Sequence, residues 1–215
     1  DAIIESQEQF TLVGTITSTN VDIAGSTTTA TGIINDDDTN ALVITVDDAS
    51  ATEGNTITFP VTLSNPVAVP TTFTFNLTNG TASNTDYTTT PVTITIAANT
   101  TSSSFSVPTT ADTIDETDET FNVAITTTYT GTINITDTAV GTIIDNDNAP
   151  SITIGDASND EGLPISFPVT LSNPSSQDIT ITFNLTNGTA GDLDYTITPV
   201  TITILAGATT GTVTV

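Results

Sequence analysis

Apolar and polar residues alternate strictly in many short segments of the chain. Residues 57–63 read Ile-Thr-Phe-Pro-Val-Thr-Leu, and residues 72–77 read Thr-Phe-Thr-Phe-Asn-Leu. A period of two places the apolar side chains on one face of a β-strand, whereas an amphipathic helix would show a period near 3.6. The alternation predicts seven strands in the middle of the chain, at 42–46, 57–63, 72–77, 92–96, 105–107, 121–125 and 131–135.

The segments between these strands are rich in turn-forming residues, such as Asn-Pro, Asn-Gly and Asp-rich sequences. Seven short strands with such turns predict an all-β fold, an antiparallel β-sandwich of immunoglobulin-like type. Threonine supplies the outward face, because its branched Cβ suits a strand and its hydroxyl suits water. The inward face is predicted to carry Ile57, Phe59, Val61, Leu63, Phe73, Phe75, Leu77, Ile94 and Val123.

The chain repeats itself. Residues 41–107 align with residues 149–215 without a gap, and about 40 of the 67 positions are identical. Residues 1–10 likewise match residues 112–121. A repeat of this size is a domain in its own right, so we predict tandem sandwiches cut from a longer array. The predicted parts are the C-terminal part of one repeat at 1–38, a complete repeat at 39–148, and the N-terminal part of the next at 149–215.

The charge of the chain excludes several classes of function. There are 25 Asp and Glu residues but no Lys, Arg or His, which gives a net charge of −25. Such a chain cannot neutralise phosphates, so nucleic-acid binding, phosphate chemistry and anionic membrane surfaces are excluded. A serine nucleophile would have no basic partner, and we predict that the protein is not an enzyme. No apolar run is long enough for direct membrane insertion.

The acidic residues lie almost entirely in the connections between predicted strands. In the complete repeat they form four groups, namely 47–48 with Glu53, then Asp86, 112–119 and 145–147. In a seven-stranded sandwich these connections emerge at the same pole. Their carboxylates repel one another, so we predict a bound cation, and ligands that offer only oxygen favour Ca²⁺ over zinc. The alternative is a solvated acidic surface that keeps the protein soluble.

Four segments carry a resemblance to a known family. They are Glu53-Gly54, the segment 80–87 that ends in Asp86-Tyr87, the acidic stretch at 112–121, and Gly-Thr-Ile-Ile-Asp-Asn-Asp at 141–147. In this order they are similar to the Calx-beta domain, an immunoglobulin-like calcium-binding module. That module occurs in sodium–calcium exchangers, integrin β4 and very large bacterial surface proteins. The resemblance covers essentially the whole chain and implies Ca²⁺ as the ligand.

The resemblance also implies the ligand residues. In the complete repeat they are Glu53, Asp86, Asp112, Glu116, Glu119, Asp145 and Asp147. The matching positions of the preceding site are Asp1, Glu5, Glu8, Asp36 and Asp38, and those of the following site are Glu161 and Asp194. Two departures from the family pattern reduce the charge of the complete site: Asn146 replaces an acid, and Ala111 stands where exchanger domains tend to carry one. We therefore expect one to three ions per pole.

These features predict a calcium-stiffened stalk segment of a large repetitive bacterial adhesin or gliding-motility filament. The expected location is extracellular, on the bacterial cell surface. The expected partners are neighbouring repeats of the same chain, and identical chains if a filament forms. Calcium would fix the angle between repeats across the joint at 148–150. Two alternatives stay open: an adhesive module that binds carbohydrate or another cell's surface through Tyr87, Tyr129 and Tyr195, and a calcium-sensing domain.

Overall fold

The computed structural model describes residues 3–15, 28–38, 41–191 and 193–215. Their regular secondary structure consists of β-strands, and none of the described residues belongs to a helix long and apolar enough to cross a membrane. In chain order the strands are β1 (Glu8–Gly14), β2 (Thr28–Ile34), β3 (Leu42–Val46), β4 (Ala49–Thr52), β5 (Thr56–Leu63), β6 (Thr71–Asn79), β7 (Val92–Ile96), β8 (Ser102–Pro108), β9 (Glu119–Thr127), β10 (Ile133–Asn134), β11 (Thr138–Ile144), β12 (Ile152–Ile154), β13 (Ser166–Leu171), β14 (Ile179–Phe183), β15 (Val200–Ile204) and β16 (Thr210–Thr214).

Residues 42–144 form a sandwich of two sheets. One sheet has the strand order β10-β3-β5-β8, and the other has the order β4-β11-β9-β6-β7. Most neighbouring strands are antiparallel, but β10 pairs with β3 and β4 pairs with β11 in parallel. The predicted all-β, immunoglobulin-like sandwich is thus confirmed, with two parallel pairs added at the sheet edges.

Aromatic rings fill the space between the two sheets. Phe59 and Phe105 are stacked with ring centroids 4.8 Å apart, and Phe105 is stacked on Phe75 of the opposite sheet at 4.1 Å. Phe121 lies edge-on to Phe59 at 6.0 Å and parallel to Tyr87 at 4.2 Å. Of the residues predicted to face inward, all are buried except Ile94, which is half-buried and packs against the same core.

The strand prediction was wrong at two places. It missed β4, whose sequence Ala-Ser-Ala-Thr has no large apolar residue to give an alternating pattern. It also placed the last strand at 131–135, where only the two-residue β10 forms. The last long strand of the sandwich formed by residues 42–144 is β11. Gly141 occupies a core position in this strand and interrupts the alternation of large apolar residues.

The flanking segments repeat parts of this architecture. Strands β1 and β2 pair so that Phe10 lies opposite Gly32, as Phe121 of β9 lies opposite Gly141 of β11. Strands β12 to β16 form a three-stranded and a two-stranded sheet around a second, smaller core. Several apolar side chains among the described residues of 1–38 and 149–215 are exposed, including Phe10, Leu12 and Ile154. The three domain boundaries stay a prediction.

We expect Gly141→Ala to destabilise the complete sandwich by about 1 to 3 kcal/mol, the usual range for overpacking a core. A Cβ at this position would lie 2.3 Å from the Phe121 ring, which the surrounding core holds in place. Urea unfolding followed by circular dichroism measures the change. The matched control is Gly188→Ala, since a Cβ at Gly188 meets nothing within 4 Å. Equal unfolding midpoints for the two variants would contradict the prediction.

Candidate metal centre

Three connections and the end of one strand meet at a single pole of the complete sandwich. Glu53 follows β4, Asp86 lies between β6 and β7, the stretch 112–119 joins β8 to β9, and Asp145 follows β11. Together they enclose a cavity of about 10 Å³, which is the size of roughly one water molecule or one ion. The cavity is lined by Glu53, Asp86, Thr110, Asp112, Glu116, Thr117, Glu119, Ile143 and Asp145.

Glu53 is the most buried carboxylate of this pole, with 8% of its surface exposed. Its Oε2 accepts a hydrogen bond from the backbone N–H of Asp112 at 3.3 Å. Its Oε1 has no hydrogen-bond partner, and neither has the buried Oδ2 of Asp147. One oxygen from each of Glu53, Asp112 and Asp147 lies within 4.8 Å of the others. Unpartnered buried acceptors are costly, and a cation among them would satisfy both.

Asp86 and Glu119 form a second acidic pair on the wall of the cavity. The pKa of Glu119 is raised to about 7 by burial, by a hydrogen bond with Asp86, and by the negative charges of Asp86, Glu116 and Asp112. The pKa of Asp86 is lowered, because hydrogen bonds from Ser83, Thr85 and Glu119 outweigh the effect of burial. Without a metal, the protonated form of Glu119, which shares its proton with the Asp86 carboxylate, thus predominates below about pH 7.

Burial and like charges act on the other carboxylates as well. Burial raises the pKa of Glu116, and the charges of Asp112, Asp86, Asp145 and Glu53 raise it further. Burial also raises the pKa of Glu53, although the backbone N–H of Asp112 works in the opposite direction. Both shifts favour a neutral carboxyl group; burial is the largest cause of each, and the negative charge of neighbouring carboxylates adds to it.

Short side chain to backbone hydrogen bonds shape the acidic connections. Asp112 Oδ1 accepts from the N–H of Ile114 at 2.7 Å, and Asp86 Oδ2 accepts from the N–H of Ser83 at 2.6 Å. Asp118, which was not among the predicted ligands, accepts from the N–H of Asp145 at 3.2 Å. Asp118 therefore ties the stretch 112–119 to the residues that follow β11. The sequence does not indicate this role, because the two bonded residues are 27 positions apart.

The acidic pair 47–48 does not lie at this pole, and its grouping with Glu53 was wrong. Strand β4 separates Glu53 from Asp48, so the two residues lie at opposite ends of a strand. Asp48 Oδ1 instead accepts from the N–H of Val140 at 2.7 Å, and Asp137 Oδ2 accepts from the N–H of Val46 at 2.8 Å. The Asp48 bond extends the pairing of β4 with β11 within one sheet, and the Asp137 bond ties the start of β11 to β3 of the other sheet, so both carboxylates have a structural role.

The preceding segment gathers a comparable acidic group. Four of its predicted ligands, Glu5, Glu8, Asp36 and Asp38, line one cavity of about 180 Å³, and Asp1 lies outside the described residues. Asp36 Oδ1 accepts from the N–H of Asp38 at 3.3 Å, as Asp145 Oδ1 accepts from the N–H of Asp147 at 3.4 Å. The exit motif thus has the same local shape in both copies.

In the following segment the two predicted ligands are exposed. Asp194 Oδ2 accepts from the N–H of Gly191 at 2.8 Å, which reproduces the local turn at Asp86. Asp194 also borders an open, largely apolar cleft of about 520 Å³. Glu161, like Glu53, directly precedes a glycine with positive φ, since Gly162 and Gly54 have φ of 81° and 74°. Residues 149–215 contain no counterpart of the stretches 112–119 and 145–147.

Comparisons with known proteins find similarity in solved structures alone. No family model matches the chain, and no curated protein matches it. The apo-form Calx CBD1 domain is similar at 15% identity and a TM-score of 0.45, over 50% of this chain and 100% of that chain. The calcium binding domain CBD12 of CALX1.1 is similar at 15% identity and a TM-score of 0.45, over 80% of this chain and 74% of that chain. The Calx CBD2 domain is similar at 17% identity and a TM-score of 0.36, over 39% of this chain and 54% of that chain. The site is therefore interpreted from its own geometry.

We expect the metal-free protein to lose stability as the pH rises through about 7, and Glu119 to account for part of that loss. The folded-state pKa of Glu119 is about 7 and its ordinary value is 4.5. Its protonated form thus contributes stability that is fully present below the ordinary value and is lost as the pH rises through the folded value. Thermal unfolding in chelator at several pH values measures this dependence.

The matched variant is Glu119→Gln, which stays neutral and keeps a hydrogen-bond donor toward Asp86. The variant should be more stable than the parent near pH 8, and the difference should vanish toward about pH 4.5. A difference that is independent of pH would show that Glu119 does not hold the proton.

Proposed function

We propose that the acidic pole of the complete sandwich binds Ca²⁺, with one to three ions per pole, and that bound calcium stiffens a stalk built from tandem units. The observation that carries the proposal is the pair of buried, unpartnered oxygens of Glu53 and Asp147, two residues that cluster with Asp112 in a chain without Lys, Arg or His. A bound cation would satisfy both oxygens and offset the repulsion among the three carboxylates.

The donor set favours calcium among common cations. Every side chain that lines the cavity with a donor atom offers oxygen, from a carboxylate or a threonine hydroxyl. Zinc prefers nitrogen or sulfur ligands, and magnesium prefers a rigid octahedron that keeps several waters. Calcium takes six to eight oxygens from flexible loops, as these connections provide. Its binding would displace the proton from Glu119, so affinity should increase with pH.

The stalk role is supported by a contact between the stretch 112–119, which carries predicted ligands, and the following unit. Asp115 lies between the predicted ligands Asp112 and Glu116, and its backbone N–H donates to the carbonyl of Pro174 at 3.1 Å. The stretch that would hold calcium therefore contacts the following unit directly. We propose a non-catalytic segment of a large extracellular protein on a bacterial surface, of adhesin or filament type, where calcium is abundant and neighbouring units are the partners.

The adhesive alternative receives less support from the tyrosines. Tyr87 is 3% exposed, stacks on Phe121, and donates its hydroxyl hydrogen to Asn79 Oδ1 at 2.7 Å. Tyr195, at the equivalent position, makes the same bond to Asn187. Tyr87 is therefore part of the core and offers no surface to a glycan.

Calcium should raise the melting temperature of the chain by roughly 10 °C or more at a hundredfold excess over the dissociation constant. Glu53→Gln should lose most of this increase, because it removes a charged ligand from the buried centre of the site. The control Asp47→Asn removes the same charge from an exposed residue outside the cavity and should keep the increase. Differential scanning calorimetry with Ca²⁺ and with chelator measures both variants. Calcium binding that survives Glu53→Gln unchanged would place the ions elsewhere.

Calcium should also change the shape of the chain in solution. Small-angle scattering of the 215-residue protein should give a longer and better-defined particle in millimolar Ca²⁺ than in excess chelator, because unneutralised carboxylates loosen the stretch that contacts the next unit. An increase in melting temperature without a change in maximum dimension would support calcium binding and refute the stiffening role.

A further inference from the structure

Two contacts between consecutive units have the same backbone pattern. In the first joint, residue 4 lies against residues 66–68: Ile4 N–H donates to Pro66 O at 3.1 Å, and Ala68 N–H donates to Ile4 O at 3.3 Å. In the second joint, residue 115 lies against residues 174–176: Asp115 N–H donates to Pro174 O at 3.1 Å, and Ser176 N–H donates to Asp115 O at 3.0 Å. Each joint is a parallel β-bridge, between residues 4 and 67 and between residues 115 and 175.

These positions are equivalent in the repeat. Residues 1–10 match 112–121, and residues 41–107 match 149–215, so Ile4 corresponds to Asp115 and Val67 corresponds to Ser175. The turn is also held within its own unit in the same way. Val67 O accepts from the N–H of Asn99 at 2.9 Å, and Ser175 O accepts from the N–H of Gly207 at 2.8 Å. The structure therefore contains two independent copies of one joint.

The side chains of the two joints differ, and they differ together. In the first joint Val67 is 2% exposed, and Ile4 packs against the same apolar core. In the second joint Ser175 is 5% exposed, and its hydroxyl donates to Asp115 Oδ2 at 3.2 Å. Ala68 of the first joint is replaced by Ser176, whose hydroxyl donates to Asp115 O at 3.3 Å. The first joint thus contains an apolar side-chain pair, and the second joint contains a hydrogen-bonded polar pair at the same positions.

We propose that this side-chain pair is a matched docking element that determines how firmly each unit is held against the unit that follows it in the chain. A unit with an apolar residue at the position of Ile4 fits a neighbour with an apolar turn, and a unit with Asp at that position fits a neighbour with a serine turn. The mixed combinations are unfavourable. Asp against Val67 would place a half-buried carboxylate beside an apolar side chain that offers no donor. Ile against Ser175 would leave the buried hydroxyl with the backbone carbonyl of residue 115, to which it also donates at 3.3 Å, but without the carboxylate. The partner of each surface is a second unit of the same kind, and the recognition requires no metal.

A double-mutant cycle on the full 215-residue chain tests this pairing. The variants are Asp115→Ile, Ser175→Val and the double variant, which recreates the apolar pair of the first joint. The readout is the hydrogen-exchange rate of the Ser176 amide, measured by NMR, since this amide donates across the joint. The Gly207 amide is the internal control, because its bond to Ser175 O lies within one unit and reports whether the turn itself stays folded.

Each single variant should accelerate exchange at Ser176 about tenfold or more, while Gly207 stays protected. The double variant should return to within about threefold of the parent. Thr113→Ile is a matched control, since it adds an apolar group to an exposed residue of the same stretch and should leave Ser176 unchanged. Single variants without effect, or a double variant that shows the sum of both effects, would overturn the proposal. The cycle is measured both with Ca²⁺ and with chelator. If calcium has no effect, the calcium proposal fails, and the exchange rates in chelator still test the side-chain pairing.

Discussion

Mutual repulsion among carboxylates is the constraint on which this molecule depends. One oxygen from each of Glu53, Asp112 and Asp147 lies within 4.8 Å of the others. Two charges about 5 Å apart near a protein surface repel by about 3 kcal/mol at an effective dielectric of about 20, before screening by salt. The chain has no Lys, Arg or His to offset this repulsion. A proton or an external cation would offset it, and the pKa of Glu53, raised by burial and by the charge of Asp147, is shifted toward the first of these solutions.

The rest of the fold keeps this repulsion local. Strands carry threonine outside and aliphatic or aromatic residues inside, so the sandwich itself is nearly uncharged, and its core forms without involving the acidic residues. Charge is concentrated where strands end, at the exits of β4 and β11 and in the connections after β6 and β8. Carboxylates away from the pole, such as Asp48 and Asp137, accept hydrogen bonds from backbone N–H groups of β11 and β3 and thereby support the sandwich. The same residue type thus stabilises the fold in one place and opposes it in another.

Much of the fold followed from the period of the sequence, because buried strands such as β5 and β6 alternate large apolar residues with polar ones. Strand β4 could not be predicted, since its small residues are held by parallel pairing with β11 and leave no apolar pattern. The order of strands predicts that the acidic connections at Glu53, Asp86 and 112–119 converge at one pole. It does not predict that Asp48 lies away from this pole, because that depends on the unpredicted strand β4. The hydrogen bond from Asp118 and the joint at Asp115 depend on distant partners, which a local pattern does not contain.

The two joints have the same backbone bonds at equivalent positions. In an array of such units, each unit would then be fastened to the next by the same backbone contact. Angular changes in such a geometry act through a lever: a small rotation at one joint displaces every later unit by an amount that grows with its distance. Because the bridge is made by a residue flanked by Asp112 and Glu116, a change of a few ångströms in one acidic stretch would be read out as a large movement at a remote end.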